Sequence, residues 1–318
     1  MKYLLFFLCL SAWGQGSLSS DCLFDFAEGA KARELIGQHD TYVKIQEELE
    51  RAQRLGSNEG ASVDDYLRQA QKSVRDFSNE EKDLLNQASS ELAKSFALYN
   101  LPLPSKIYYI KTDGSEEGAP YTRENFIVFP GFSLKKNLAD MKELLAHEIF
   151  HIMSRYNKKL STELYKIIGF RYCGKIEEPP TLRRRRITNP DAPIYEHFIK
   201  LRNNKGEIFP AIPFLYLRIH SLDEVDQQSV FRHMKLGFLK IDLHTKKASG
   251  PIIPVEDIAP SLFKQIGKNT NYIIHPEETI SDNFAQIMCG IEPKTKRIHQ
   301  ELKAILSKKS VGSGQLAD

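Results

Sequence analysis

Residues 144–153 read LLAHEIFHIM and contain the pattern His-Glu-x-x-His. In an α-helix, residues four apart project from the same face, so His147 and His151 would lie one above the other with Glu148 beside them. Two imidazoles at this spacing can bind one metal ion, and the adjacent glutamate can act as a general base. The stretch therefore predicts the metal-binding helix of a zinc hydrolase.

The residues before this motif also favour a helix. Asn137 is a suitable N-cap, and Asp140 places a negative charge in the first turn, where the helix dipole favours it. Leu138, Met141 and Leu145 recur at helical spacing and provide an apolar face. We therefore expect both histidines to lie well inside a helix rather than on a loop.

A catalytic zinc site needs a third protein ligand and an open position for water. Residues 275–284 read HPEETISDNF, where Pro276 suits the first position of a helix. Glu278 and Asp282 would then lie four apart on one helix face. We expect Glu278 to bind the metal and Asp282 to accept the N–H of a liganding histidine, in the first place His147.

Explanations without a metal exist for these residues. The His-Glu-x-x-His pattern could be a coincidence on a protein surface. The helix dipole favours a glutamate at the helix start, which applies to Glu278 and equally to Glu277. Asp282 could be a solvated residue, and His275 could be a helix cap or, alternatively, a metal ligand.

The sequence Glu-x-x-Ser-Asp after His-Glu-x-x-His resembles the thermolysin-like zinc metallopeptidases, the gluzincins. The resemblance implies His147, His151 and Glu278 as ligands of one Zn²⁺ ion. It also implies Glu148 as general base and Asp282 as the partner of a liganding histidine. It covers two helices only, and the long separation of Glu278 from His151 departs from the short connection in thermolysin. The resemblance therefore concerns the site and not the domain plan of thermolysin.

The residue that would stabilise the negative oxygen of the reaction has no obvious counterpart in this sequence. Tyr272, His220 and Tyr195 are available. Tyr272 is our first choice because it lies just upstream of the predicted glutamate helix, although it could equally be a half-buried aromatic residue.

The first 14 residues are typical of a signal peptide. Lys2 supplies a positive charge, residues 3–10 are apolar, and residues 12–14 include small residues suited to cleavage near Gly14. The apolar run is shorter than the roughly 20 residues that span a bilayer, and no later segment approaches that length. We expect a secreted or periplasmic protein without stable membrane insertion.

Cleavage would remove Cys9 and leave Cys22, Cys173 and Cys289. An exported chain could form one disulfide and keep one thiol, or all three cysteines could be unpaired.

Composition restricts the class of protein and of partner. The 318 residues are 41% hydrophobic and 27% charged, as in ordinary globular proteins. A net charge of +3 is too small to indicate a nucleic-acid partner. The four arginines at 183–186 could be solvated, could anchor a loop, or could contact an anionic substrate or surface.

The order of predicted elements gives an α+β fold with a zincin-like metallopeptidase core. Residues 15–60 would form an accessory N-terminal segment, helical from 24 to 54, and residues 61–308 the catalytic domain. Strands are predicted at 106–110 and 125–129, the second being either core sheet or an edge for an extended substrate. A β-rich insert at about 190–255 would separate the two metal-binding helices, and 309–318 would be a flexible tail.

Three functions fit this pattern. The first is an exported zinc-dependent metallopeptidase, in which zinc activates water and Glu148 is the general base, acting on a peptide or protein substrate. The second is a non-catalytic zinc- or substrate-binding protein on the same fold. The third is a zinc hydrolase or transferase that acts on a non-peptide bond.

Overall fold

Helices and strands alternate in blocks along the chain, and the computed structural model describes residues 17–19 and 22–307. The helices are α1 (Gly29–Ile36), α2 (Thr41–Ile45), α3 (Glu48–Leu55), α4 (Val63–Ser73), α5 (Asn79–Phe96), α6 (Leu138–Tyr156), α7 (Lys158–Ile167), α8 (Pro180–Arg183), α9 (Val230–His233), α10 (Ala259–Ile266), α11 (Pro276–Cys289) and α12 (Lys296–Leu306). The strands are β1 (Ser17–Ser19), β2 (Cys22–Phe26), β3 (Val74–Arg75), β4 (Lys106–Thr112), β5 (Tyr121–Arg123), β6 (Phe126–Pro130), β7 (Phe170–Tyr172), β8 (His197–Arg202), β9 (Ile208–Leu217), β10 (Met234–Asp242) and β11 (Lys247–Ile253). With 46% helix and 21% strand, the α+β class is confirmed.

The first sheet has the strand order β1-β2-β4-β6-β5, and β3 pairs with β4 beside this path. Strand β4 is parallel to both β2 and β6. The predicted strands at 106–110 and 125–129 are present as β4 and β6. Strand β6 is buried throughout and lies between β4 and β5, so it belongs to the core sheet and is not an edge for substrate.

The prediction of a wholly helical stretch from 24 to 54 is wrong at its start. Residues Cys22–Phe26 form β2, in which Cys22 and Phe24 are buried on one face while Leu23 is exposed on the other. Five residues of period-two alternation give a weak signal beside a longer helical pattern. As a result, the N-terminal segment shares a sheet with β4 and β6.

Helices α6 and α11 pack against each other in the centre of the largest apolar core. As predicted, Asn137 caps α6 by accepting the N–H of Asp140 at 3.0 Å. Helix α11 begins at Pro276 and ends before Gly290, which has φ 71° in the left-handed region. The rings of Phe150 and Phe284 lie 5.3 Å apart between the two helices and fix their approach.

The second sheet is antiparallel with the order β11-β10-β9-β8-β7, and it forms the predicted β-rich insert. One face of β8 and β9 packs on the same core as α6 and α11 through Ile199, Leu201 and Ala211. The insert therefore packs against the core that contains α6, the helix with the His-Glu-x-x-His pattern.

The start of this insert differs from the predicted one. The sheet begins with β7 at Phe170, well before the predicted start near residue 190, and it ends with β11 at Ile253, close to the predicted end at 255.

The arginine run at 183–186 anchors a loop. Arg185 donates to the carbonyl of Leu217 at 2.9 Å, and buried Arg186 donates to Glu178 at 2.9 Å. Arg183, in contrast, pairs at the surface with Glu47.

Three further predictions concern thiols, membranes and the chain ends. Cys22, Cys173 and Cys289 are unpaired in the part of the chain that the structure describes. Within those same residues, no helix combines the length and the apolar character that a bilayer span requires. The predicted signal peptide and the predicted flexible tail lie outside the described residues.

Candidate metal centre

The three predicted ligands meet where α6 crosses α11. The Nε2 atom of His147 lies 3.2 Å from Oε2 of Glu278, and Nε2 of His151 lies 3.4 Å from the same oxygen. Their candidate donor atoms all lie within 4.8 Å of one another. These residues, called the His/Glu cluster below, could hold one metal ion.

Each imidazole is anchored through its other nitrogen. Nδ1 of His147 lies 2.8 Å from Asp282, the predicted partner, and Nδ1 of His151 lies 2.8 Å from Glu277. Because a carboxylate only accepts, each Nδ1 carries the proton. In the neutral imidazoles the lone pair is then on Nε2, the atom that faces Glu278.

The role of Glu277 was missed from the sequence, where it was assigned to the helix dipole. Its carboxylate accepts from His151, from Ser154 at 2.5 Å and from the hydroxyl of Tyr165. Glu277 is buried, so these three donors replace the water that it would otherwise bind. A second acidic residue directly before Glu278 was the available signal.

A loop between α8 and β8 forms the opposite wall, and its residues were also missed. The Nδ2 atom of Asn189 donates to Oε1 of Glu278 at 2.5 Å. Asp191 accepts from both the backbone and the hydroxyl of Thr122, at 2.8 and 2.6 Å. A carboxylate oxygen of Asp191 also lies within 4.8 Å of atoms of Glu148 and His151 that could bind a metal. The sequence showed only a turn at Asn189-Pro190.

Carboxylates dominate the electrostatics of the cluster. Burial opposes a charge on His147, but hydrogen bonds to Asp282 and Glu278 outweigh it and raise its pKa to about 10. Burial acts likewise on His151, and the charges of Asp191 and Glu278 still raise its pKa well above the usual value. In return the imidazoles overcome the burial of Glu278 and hold its pKa well below the usual range. The cluster therefore favours positive charge, whether protons or a cation.

Glu148 lies beside this cluster on α6. Burial, and next the charge of Asp191, raise its pKa to about 8. Its Oε2 and the Nε2 of His151 are buried without a hydrogen-bond partner among the described residues. Buried polar atoms normally have a partner, and two nitrogens with one carboxylate are a usual zinc donor set. The residues therefore fit a zinc ion.

Of the other predicted site residues, Tyr272 lies beside the cluster and His275 has a structural role. The ring of Tyr272 lies 6.0 Å from that of His147 and is nearly parallel to it, while 42% of the residue is exposed. Burial, and next the charges of Glu278 and Asp191, raise the pKa of Tyr272 well above its usual value. His275 is the N-cap of α11, accepting from the N–H of Glu277, which confirms the cap alternative.

The two other candidate donors lie away from the cluster in their described contacts. The backbone N–H of exposed His220 donates to Glu224, and the hydroxyl of Tyr195 accepts from the backbone N–H of Leu215. A cavity of about 270 Å³ borders the site and is lined by residues including Asp191, Glu277, His275 and Tyr165.

Comparisons of the chain with family models, with curated proteins and with solved structures found no match.

Proposed function

We propose that this protein is an exported, zinc-dependent metallopeptidase of gluzincin type with a zincin-like core. The observation that carries the proposal is the convergence of both Nε2 atoms on Oε2 of Glu278, with each Nδ1 held by a carboxylate. Liganding histidines in zinc sites are typically anchored in this way.

The chemistry assigned to the metal is that of a Lewis acid: bound zinc lowers the pKa of water toward neutrality. Glu148 supplies the general base. Its Oε2 is buried and has no hydrogen-bond partner within residues 22–307, so it is available to take a proton from the attacking water and to pass it to the leaving amine nitrogen.

Tyr272 supplies a hydrogen-bond donor to the carbonyl oxygen of the substrate. A tyrosine hydroxyl is protonated at neutral pH, and the partial exposure of Tyr272 leaves it accessible from outside. A donor aimed at the developing negative charge stabilises the transition state more than the substrate.

Asp191 supports a second candidate, the non-catalytic zinc-binding protein. Glu148, His151 and Asp191 form a second group whose candidate ligand atoms lie within 4.8 Å of one another. A metal ion held by this group would use Glu148 as a ligand, so that Glu148 could not act as the general base of a hydrolase.

One experiment separates the two candidates. The purified protein is analysed for zinc and assayed on a peptide library before and after treatment with a chelator. Zinc together with chelator-sensitive cleavage supports the peptidase. Zinc without cleavage, with weaker zinc binding in Asp191→Asn, supports the second candidate, and absence of zinc contradicts both.

Export rests on the first 14 residues and is tested separately. N-terminal sequencing of the protein recovered outside the cytoplasm should find a chain that begins near Gly14. Recovery of the uncleaved chain inside the cell alone would contradict export.

A further inference from the structure

We propose that Asn189 is a positioning residue for Glu278, and that Glu50 of the N-terminal helix α3 holds the loop that carries Asn189. This inference rests on the metal-binding part of the proposed function and is independent of peptide cleavage. It assigns α3, which is part of the segment 15–60 predicted as accessory, a direct part in positioning a proposed metal ligand.

The orientation of the Asn189 amide is fixed by its partners. Oδ1 accepts the backbone N–H of Asp191 at 3.0 Å, while Nδ2 lies 2.5 Å from Oε1 of Glu278. A backbone N–H can only donate and a carboxylate can only accept. The amide therefore donates to Glu278 and cannot be turned round without losing both bonds.

This bond decides which oxygen of Glu278 faces the imidazoles. Oε1 is taken by Asn189, and Oε2 alone lies 3.2 and 3.4 Å from the Nε2 atoms of His147 and His151. Glu278 is buried, so no bulk water can replace the amide if it is lost. Without Asn189 the carboxylate could rotate about its last bond and present either oxygen.

The residue before Asn189 is fixed by the N-terminal segment. Thr188 donates its N–H and its hydroxyl to the two oxygens of Glu50, at 2.8 and 2.9 Å. Arg54 also donates to Glu50 at 2.8 Å and pairs with Glu117. Glu50 is 0% exposed, so this carboxylate depends entirely on these donors. Glu50, Arg54 and Thr188 are called the α3 clamp below.

The residues on either side of this point are held as well. Ile187 donates its N–H to the carbonyl of Leu215 on β9 at 2.9 Å, and Asp191 is bound by Thr122 of β5. Asn189 is therefore placed by three elements that are distant in sequence. A short polar loop without these anchors would not hold an amide against a buried carboxylate.

The test measures zinc affinity in Asn189→Asp, by competition with a chromophoric chelator. The substitution keeps the size of the side chain, removes the donor and sets a like charge against Glu278. We expect zinc binding to weaken by about 10–100-fold, as is typical for partners of metal ligands. We also expect a changed visible absorption spectrum of the Co²⁺-loaded protein, because that spectrum reports on the coordination shell.

Asn125→Asp is the matched control. Asn125 donates to the carbonyl of Lys106 at 3.0 Å in the first sheet, so the same chemical change removes a bond away from the cluster. It should leave zinc affinity and the Co²⁺ spectrum unchanged even if it lowers thermal stability.

Thr188→Val tests the α3 clamp, and it replaces Asn189→Asp as the test variant if Asn189→Asp does not fold. It is close to isosteric, removes the hydroxyl bond to Glu50 and should weaken zinc binding by a few-fold. Wild-type zinc affinity in both folded loop variants overturns the inference. If the wild-type protein binds zinc but cleaves no peptide, the proposed peptidase activity is contradicted. The role of Asn189 is then still tested by the zinc affinities of these variants.

Discussion

Helices α6 and α11 form one wall of the candidate metal centre, and the loop 186–191 forms the other. The helical wall supplies the three ligands of the proposed peptidase, His147, His151 and Glu278, and their spacing follows from the repeat of a helix. The loop wall supplies Asn189 and Asp191, and its position follows from buried polar bonds to α3 and β5. The first is specified locally, whereas the second depends on segments far away in the chain.

The largest effect is expected from a truncation that removes the N-terminal support of the loop wall. A chain that begins at residue 61 lacks β2, which pairs with β4, and lacks Glu50, which binds Thr188. We expect loss of near-ultraviolet circular dichroism and of zinc binding, because an open sheet edge and unpaired buried groups remain. A chain that ends at residue 308 is the control and should keep both properties. A folded, zinc-binding product from the first truncation would show that residues 15–60 are a removable pro-segment.

The next effect belongs to the helical wall. Glu148→Gln keeps the size of the side chain but removes the base, so cleavage of a peptide found in the library assay should fall by about 10²–10⁴-fold. Zinc content should be retained, since the proposed ligands are unchanged. Steady-state kinetics and metal analysis on one preparation give both readouts. Full activity in this variant would remove Glu148 from the proposed mechanism.

Two substitutions compare the anchors of the imidazoles within the helical wall. Glu277 is 1% exposed, whereas the side chain of Asp282 is 29% exposed. We expect Glu277→Gln and Asp282→Asn both to weaken zinc binding within about 10–100-fold, with the larger loss for Glu277. The reason is that water can substitute at Asp282 but not at Glu277.

Competition with a chromophoric chelator ranks these two variants against the wild type. An Asp282→Asn protein that loses at least as much affinity as Glu277→Gln would contradict the assignment based on burial.

The last expected effect concerns Glu116, which is buried and directly precedes Glu117, the partner of Arg54 in the α3 clamp. Burial raises its pKa from 4.5 to about 7, although the hydrogen bond that one oxygen accepts from Thr112 acts in the opposite direction; the other oxygen has no partner among the described residues. The folded state thus holds a proton that the unfolded chain loses above pH 4.5. The contribution of Glu116 to stability is therefore complete below that pH and is lost as pH rises to about 7.

Glu116→Gln mimics the protonated acid and should remove this loss. In urea unfolding of metal-free protein, the variant should match the wild type near pH 4 and exceed it by up to about 3 kcal/mol at pH 8. Glu59→Gln, at an exposed glutamate, controls for the loss of one negative charge. Equal stability of Glu116→Gln and wild type at pH 8 would refute the assignment.

The two walls also differ in how far the sequence predicts them. His147 and His151 lie together on α6, and Glu278 and Asp282 on α11, as the helix start signals predicted. That the two pairs meet was implied only by the expected metal site and the resemblance to the gluzincins. Whether they bind zinc stays a prediction. The partner of His151 was missed, since nothing local distinguishes a glutamate at a helix start from one that receives three buried donors.

The loop wall was not predictable by the same means. Asn189 and Asp191 follow an arginine run and precede a proline-rich turn, a pattern that indicates only an irregular segment. Their partners Glu278 and Thr122 are 89 and 69 residues away, and contacts at such distances leave no periodic trace in one sequence. The strand β2 was missed for a related reason: its partner β4 lies beyond five intervening helices and β3.

The contact between His147 and Asp282 also has a consequence for folding kinetics. These residues are 135 positions apart, and the whole antiparallel insert lies between them. Closing so long a loop costs entropy before the contact is made, and such non-local pairings form slowly. The isolated α6 peptide would carry two of the three donors and bind metal weakly. High-affinity binding during refolding should therefore be a late event, one that reports on completion of the insert rather than on formation of the motif helix.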